Sequence, residues 1–341
     1  MNRTGIYRVC IAFIAIIGLV FFALALTSCG GDGCGDCGIC EICAPGCDDC
    51  GICEDCDICD LCNKKTCICP FTSEYGVELV WVPAGSFTMG PYNEVTVQVN
   101  LTQGFFMSKF LVTQDLYEEV MGTNPSYFHG GDGREPATNE EQSKRPVEQV
   151  NWYRAIAFCN RLSILEGLTP VYTVEGLSNT DASVWLHSVV PGTTNATWDA
   201  LTANWNANGY RLPTEAQWEY AAKGGNGSPG NFTYSGSNDA DTVAWHSGNS
   251  SSITREVGKK APNGLGIYDM SGNVWEWCWD RHAADYPIGP LTNYTGADTG
   301  NSRVRRGGSY NNAAASSELV NRSPFERSSD SVVLGFRVVR R

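Results

Sequence analysis

Histidine is scarce in this chain: 341 residues contain four, at His129, His187, His246 and His282. They are dispersed and show no HxxxH-type spacing, so a histidine-built iron centre has nothing to build on. Basic residues are also in short supply, 24 Lys and Arg against 37 Asp and Glu, and a net charge of −13 excludes the basic footprint of a nucleic-acid binder. Residues 303–341 contain neither cysteine nor histidine. No Ser-His-Asp arrangement and no phosphate-cradling glycine loop is evident. Charged residues are only 18%, but hydrophobic residues reach 42%, which excludes generic disorder. The length suits one large or two average domains.

What is present begins with an address. Arg3 and Arg8 precede an apolar run from Val9 to Ala25, the pattern of a signal peptide over residues 1–28. The run ends in Leu26-Thr27-Ser28-Cys29, which resembles a bacterial lipobox. That resemblance implies acylation of Cys29, a lipid-tethered mature protein and a place in the cell envelope, expected at the outer membrane and facing outward. An uncleaved transmembrane helix is the alternative, although seventeen residues lie at its short limit.

Residues 29–73 read as an acidic, cysteine-rich stalk. Cysteines recur every third residue from Cys34 to Cys43 and again from Cys50 to Cys62, with Cys47, Cys67 and Cys69 completing the set. Nine acids against Lys64 and Lys65 leave a net −7 over residues 29–70, with almost nothing to build a core. A crosslinked or repeat-expanded spacer, a metal-binding array and redox chemistry all remain open, and spacing does not reveal connectivity.

From Glu74 the composition becomes that of a folded domain running to Arg341. Residues 77–90 read as strand, turn and strand, and 95–101 alternate as another strand. Thr113 is placed to cap a helix over Gln114–Met121 with Gly122 beyond it, and Asn151 to cap one reaching Ser163. Cys159 falls on the apolar stripe of that second helix. Thr214 and Gln217 have capping-box spacing, and Gly224-Gly225 stop the helix they begin. Glu215 and Glu219 lie one turn apart, suited either to acid–base work or to pairing with the eight arginines of 303–341. Those arginines suit buried carboxylates or, alternatively, a basic ligand surface. Residues 176–209 and 226–258 read as long surface loops.

Six segments occur in order: PAGSFTMG, VTQDLYEEVMGTNP, RPVEQVNWYRAIAFCNRL, RLPTEAQWEYAA, GNVWEW and RGGSY…GFRVVR. Together they resemble the formylglycine-generating-enzyme superfamily, a branch of the C-type-lectin fold. The resemblance covers Val77 to the end and implies an α+β domain with few short helices, many short strands and long loops. Enzymes of that family carry paired cysteines after the GGS element; the matching positions here are Asn312 and Ser317, which offer no thiolate. The resemblance also implies a candidate calcium site from Asp269 and Glu276 with the carbonyls of Gly272 and Val274. A tight turn at Asn273 leading into a buried strand accounts for the same residues without a cation.

Residues 310–334 also resemble the variable region of diversity-generating-retroelement proteins, in which asparagine codons are rewritten at their adenines. Tyr310, Asn311, Asn312, Ala313, Ala315, Ser316, Ser323, Pro324, Phe325, Ser328, Ser329, Asp330 and Ser331 belong to the accessible residue set and are the expected ligand-binding positions. The resulting expectation is a surface-anchored, non-enzymatic binder, monomeric, needing no cofactor, that presents this region to an extracellular protein or glycan. Two alternatives stand beside it: an oxygen-dependent oxidoreductase with a non-standard metal centre in the same fold, and an envelope protein whose role lies in the stalk.

Overall fold

The computed structural model describes residues 70–225 and 231–341. The expected signal segment, Cys29 and the cysteine ladder lie outside the described residues. The domain starts earlier than Glu74, because the short strand β1 (Phe71–Thr72) pairs antiparallel with β2 (Glu78–Val82), Phe71 facing Leu79. The hairpin of β3 (Gly85–Tyr92) and β4 (Val95–Leu101) follows, and β4 buries Val97, Val99 and Leu101 while its alternate residues face solvent. Strand β5 (Phe105–Ser108) returns to pair with β2.

Helix α1 (Gln114–Met121) has the expected bounds, and Gly122 closes it at φ +77°. Its start differs from expectation. Thr113 makes no side-chain cap; its hydroxyl donates instead to the Asp115 carboxylate, which accepts from the Leu116 amide at 2.7 Å. Helix α2 (Trp152–Leu165) is capped by Asn151, which accepts from the Arg154 amide, and runs two residues beyond Ser163. Its buried face carries Trp152, Ile156, Cys159 and Leu162, but Tyr153, Ala155, Ala157 and Phe158 are buried too, so the helix lies inside the domain.

The stretch expected to be a surface loop after 176 is partly core. Following β6 (Tyr172–Thr173), it folds into a turn of 3-10 helix at Ala182–Trp185, α3 (Ala196–Asp199) and β7 (Thr202–Ala203), the last pairing with β6. Trp185 is fully buried, and Trp198 meets it edge-on at 5.7 Å. Each large aromatic so buried contributes about 1.5–3 kcal/mol, enough to hold a segment of small polar residues against the body.

Helix α4 (Glu215–Ala222) begins with the complete Thr214/Gln217 capping box and ends at Gly224 and Gly225, both left-handed. A short α5 (Ala240–Val243) precedes β8 (Trp275–Arg281), β9 (Leu291–Thr292), β10 (Ser302–Arg306), β11 (Arg322–Glu326), β12 (Leu334–Gly335) and β13 (Val339–Arg340). Two four-stranded sheets result, ordered β1-β2-β5-β13 and β11-β10-β8-β12. The last strand thus closes the first sheet, Val339 facing Met107. One core gathers around α2 with Trp277 and Phe336; the other lies between α4 and the β3–β4 hairpin with Trp218 and Val304. This is the α+β arrangement of few short helices and many strands that the motif order implied.

Candidate functional site

Strand β8 sorts its residues by parity. Trp275, Trp277 and Trp279 share one face; Glu276, Cys278 and Asp280 share the other. The carboxylate face is wholly internal. Glu276 accepts from Arg337 Nε at 2.6 Å and Nη2 at 3.0 Å, and its Oε2 also accepts from Trp218 Nε1 at 2.9 Å. Burial raises the Glu276 carboxyl above its ordinary range, with the Arg337 charge opposing.

The same layer takes Arg306 and Arg322. Arg306 donates to Glu219, and Arg322 holds Glu215 in a fork, Nε to Oε1 at 2.7 Å and Nη2 to Oε2 at 2.8 Å. Glu215 and Glu219 are therefore the partners of C-terminal arginines. Outside this layer, Arg327 pairs with Asp199 and Arg340 approaches Glu166 at 3.9 Å.

These pairs change the reading of the calcium residues. Asp269 is fully interior, accepts from the Gly258 amide at 2.8 Å, and is pushed up to about 6 by burial. Glu276 has both oxygens committed, so the Arg337 guanidinium stands where a cation bound to that carboxylate would stand. Gly272, at φ +81°, packs on the Trp245 backbone, and Val274 is a buried core residue. In this turn Glu276 is paired with Arg337, and Asp269 is held by the Gly258 amide.

The opposite face of β8 leads to the expected binding residues. Register places Arg305 of β10 opposite Trp277 and opposite Ser323 of β11, so Trp275, Arg305, Ser323 and Phe325 share one surface. Residues 309–317 cross above Trp275. Their turn is built on Gly307 and Gly308, at φ +95° and +74°, and a Cβ on Gly308 would lie 2.4 Å from Ser317 Oγ, so only glycine fits there. Asn312 Oδ1 accepts from Trp275 Nε1 at 2.8 Å and from Ser309 Oγ at 2.7 Å, and its carbonyl accepts from the Ser247 amide at 2.9 Å.

Around that crossing, Asn311, Ala313, Ala315, Pro324 and Asp330 are exposed; Asn312, Ser316, Ser323, Phe325, Ser328, Ser329 and Ser331 are half-buried. Tyr310 departs from the set. It is 3% exposed and meets Phe128 edge-on at 5.4 Å, so it supports the surface from beneath instead of forming it. Ser317, the second of the positions matching paired cysteines, is likewise fully buried. Pro324 sits on the edge strand of its sheet, where no ladder amide is missed.

The set falls into two groups joined by the sheet. Ala315, Ser316 and Ser323 line an open depression of about 390 Å³ together with Trp275, Asn321 and Arg322, and residues 311–313 precede them along the chain. Residues 328–331 lie against the start of α2: the Ser328 carbonyl accepts from Asn151 Nδ2, the Ser331 carbonyl accepts from the Gln149 amide, and Asp330 pairs with Arg154 at 3.5 Å. Phe325 links the groups through Trp277, at 5.8 Å between rings. Trp275 and Arg305 were not among the expected site residues. The signal was present in the period-two tryptophans of β8 and in Arg303/Arg305 of β10, both of which read as core until pairing showed which face they share.

The described residues contain two cysteines, Cys159 and Cys278, both free and buried, and burial pushes both thiols far above their ordinary range. Neither offers a thiolate at neutral pH.

Fold and site together define the class: the chain belongs to the sulfatase-modifying-factor family, whose "Sulfatase-modifying factor enzyme 1-like domain" matches residues 66–341. Two relatives match at similar identity. The chain is 38% identical over 280 residues to "Chaperone protein LppX" of Paenibacillus barcinonensis, covering 77% of this chain and 89% of that protein. The solved structure of Treponema denticola variable protein 1 is 38% identical, with a TM-score of 0.72 over 80% of this chain and 98% of that one. The formylglycine-generating enzyme of Mus musculus is 27% identical over 276 residues, covering 68% of this chain and 66% of the enzyme.

Proposed function

We propose that this protein is a surface-anchored, non-enzymatic binder in which a lectin-type frame displays a diversified patch to an extracellular protein or glycan. One observation carries the reading: within the segment, buried ion-paired arginines alternate with side chains that reach solvent. Arg306, Arg322 and Arg337 bracket it with buried ion pairs, whereas Asn311, Ala313, Ala315, Pro324 and Asp330 between them reach solvent. Side chains of that kind can be exchanged without disturbing the core, which is what display on a rigid scaffold requires. The similarity to a variable protein and to a protein named a chaperone supports binding over catalysis. Asn312 and Ser317, standing where the resemblance places paired thiols, support it further.

Lipidation at Cys29 and an outer-membrane location belong to the same proposal, resting on the apolar run and Leu26-Thr27-Ser28-Cys29. Among the described residues, no helix is long and apolar enough to cross a membrane. The test is to sequence residues 310–334 across isolates. Variation concentrated at asparagine-derived codons, with a near-copy of the 303–341 coding segment beside a reverse transcriptase gene, is the expected result. Constant codons would remove the reading. Stoichiometric copper or iron with oxygen consumption in the purified protein would favour the oxidoreductase instead.

A further inference from the structure

Five of the eight arginines in residues 303–341 lie within 4 Å of a carboxylate: Arg306, Arg322, Arg327, Arg337 and Arg340. Arg303 is buried and donates to the Trp279 carbonyl at 2.6 Å, and the exposed Arg341 reaches Asn206. Arg305 is different. Its guanidinium lies over the Trp275 ring at 4.8 Å and the Phe325 ring at 4.5 Å, and its Nε donates to Ser323 Oγ at 3.3 Å. Among the described residues no carboxylate pairs with it, and no acceptor takes its Nη groups, which are not buried. Partial desolvation without a neighbouring counter-charge lowers its pKa from the ordinary value.

We propose that Arg305 is the fixed anchor of the binding patch and receives a carboxylate, the side chain of an Asp or Glu in an exposed peptide segment of the ligand. The proposal rests on the binding reading above and names the chemistry of the same site. Two flanking rings hold the planar fork in place, so little side-chain freedom is lost when it binds. A guanidinium so held matches a carboxylate with two parallel N–H groups. The depression that Arg305 adjoins through Ser323 and Trp275 is lined further by the small, neutral Ala315, Ser316 and Asn321 and by Arg322, whose guanidinium is already paired with Glu215; it suits a single acid within a neutral stretch. A polyanion is disfavoured, because residues 71–341 carry a net charge of about −8 once the two leading segments are subtracted from −13. A sugar is disfavoured as well, because it would have to stack on Trp275 or Phe325, whose rings already have the Arg305 guanidinium at 4.8 Å and 4.5 Å.

The test selects a random twelve-residue peptide library on the full chain, with Arg305→Gln and Ala315→Arg variants as comparisons and sialic and glucuronic acid glycans printed in parallel. Circular dichroism confirms that each variant is folded, and Arg305→Lys, which keeps the charge but not the fork, serves if the glutamine variant is not. The expected result is enrichment of peptides sharing one Asp or Glu. Their binding should fall about ten- to a hundredfold on Arg305→Gln, which removes the charge-assisted fork, and less on Arg305→Lys. Peptides without a shared acid, or with binding unchanged on Arg305→Gln but lost on Ala315→Arg, overturn the anchor and leave the binding patch standing. Binding indifferent to both substitutions, or no enrichment at all, counts against patch and anchor together. Arg305-dependent capture of a glycan carboxylate overturns the peptide assignment.

Discussion

Arg337 and Glu276 meet with no exposed surface on either side chain, Nε to Oε2 at 2.6 Å and Nη2 to Oε1 at 3.0 Å. The arginine comes from the chain's last seven residues and the glutamate from β8, so this pair ties the end of the display segment to the central sheet. Glu276→Gln removes the counter-charge and leaves Arg337 buried against a neutral amide. A loss of about 3–5 kcal/mol is expected, because an interior charge without a partner is costly. Chemical denaturation of the two proteins reads it directly.

A smaller effect is expected at the start of α4. Thr214 accepts from the Gln217 amide and Gln217 accepts from the Thr214 amide. Thr214→Ala should lower stability by about 1 kcal/mol. Because the two side chains act on one another's backbone, Thr214→Ala and Gln217→Ala combined should cost less than the sum of the single losses, a double-mutant-cycle measurement.

Display and frame should respond oppositely to substitution. Changes at Asn311, Ala313 or Ala315 to Ser, Tyr or Asn should each shift stability by no more than about 0.5 kcal/mol. Gly308→Ala, placing a methyl 2.4 Å from Ser317 Oγ at φ +74°, should be strongly destabilising. Thermal melts of the four variants separate the two behaviours; a costly change at Ala315 would contradict the division.

Stability should fall with rising pH through neutrality. Glu148 is fully buried, accepts from the Phe128 amide at 2.8 Å, has no partner for Oε2, and is pushed up to about 7 from 4.5 by burial. A carboxyl with a raised folded-state pKa favours the protonated native form. Its contribution is complete below about pH 4.5 and is lost as pH rises through about 7. The amplitude is on the order of 3 kcal/mol. Asp280, raised to about 8 by burial and by the Glu215 charge, acts in the same direction over a wider window. Glu148→Gln should flatten the denaturation midpoint between pH 5 and pH 7.5; an unchanged slope would assign the dependence elsewhere.

Cys159 and Cys278 should resist alkylation in the native protein and react only on unfolding, since both thiols are enclosed and both are held protonated by burial. Peptide mapping after iodoacetamide treatment, with and without denaturant, gives the answer residue by residue.

Much was legible where local rules act alone. The alternation of 95–101, the Thr214/Gln217 box, the Asn151 cap and Gly122 each announce themselves within a few residues, and each is where the pattern placed it. The pairing of Glu215 and Glu219 with arginines was one of two uses the sequence allowed them, since eight arginines beside three acids in 303–341 leave guanidinium groups over for carboxylates elsewhere. Thr113 shows the limit even of local rules: its hydroxyl donates to the Asp115 carboxylate and caps no amide.

The sequence by itself determined helices α1, α2 and α4, the glycine stops at Gly122 and Gly224-Gly225, and the small side chains of residues 311–317, because these depend on neighbours along the chain. Only the tertiary structure decided which arginine each acid receives, that Arg337 stands against Glu276, that Tyr310 lies beneath the surface, and that Trp185 and Trp198 turn an apparent loop into core. It also decided that Arg305 alone lies between Trp275 and Phe325 without a carboxylate. The physical reason is the same in each case. A charge or an aromatic ring acquires its energy from what surrounds it in space, and pairing of strands far apart in sequence, as β13 with β5 and β12 with β8, sets those surroundings.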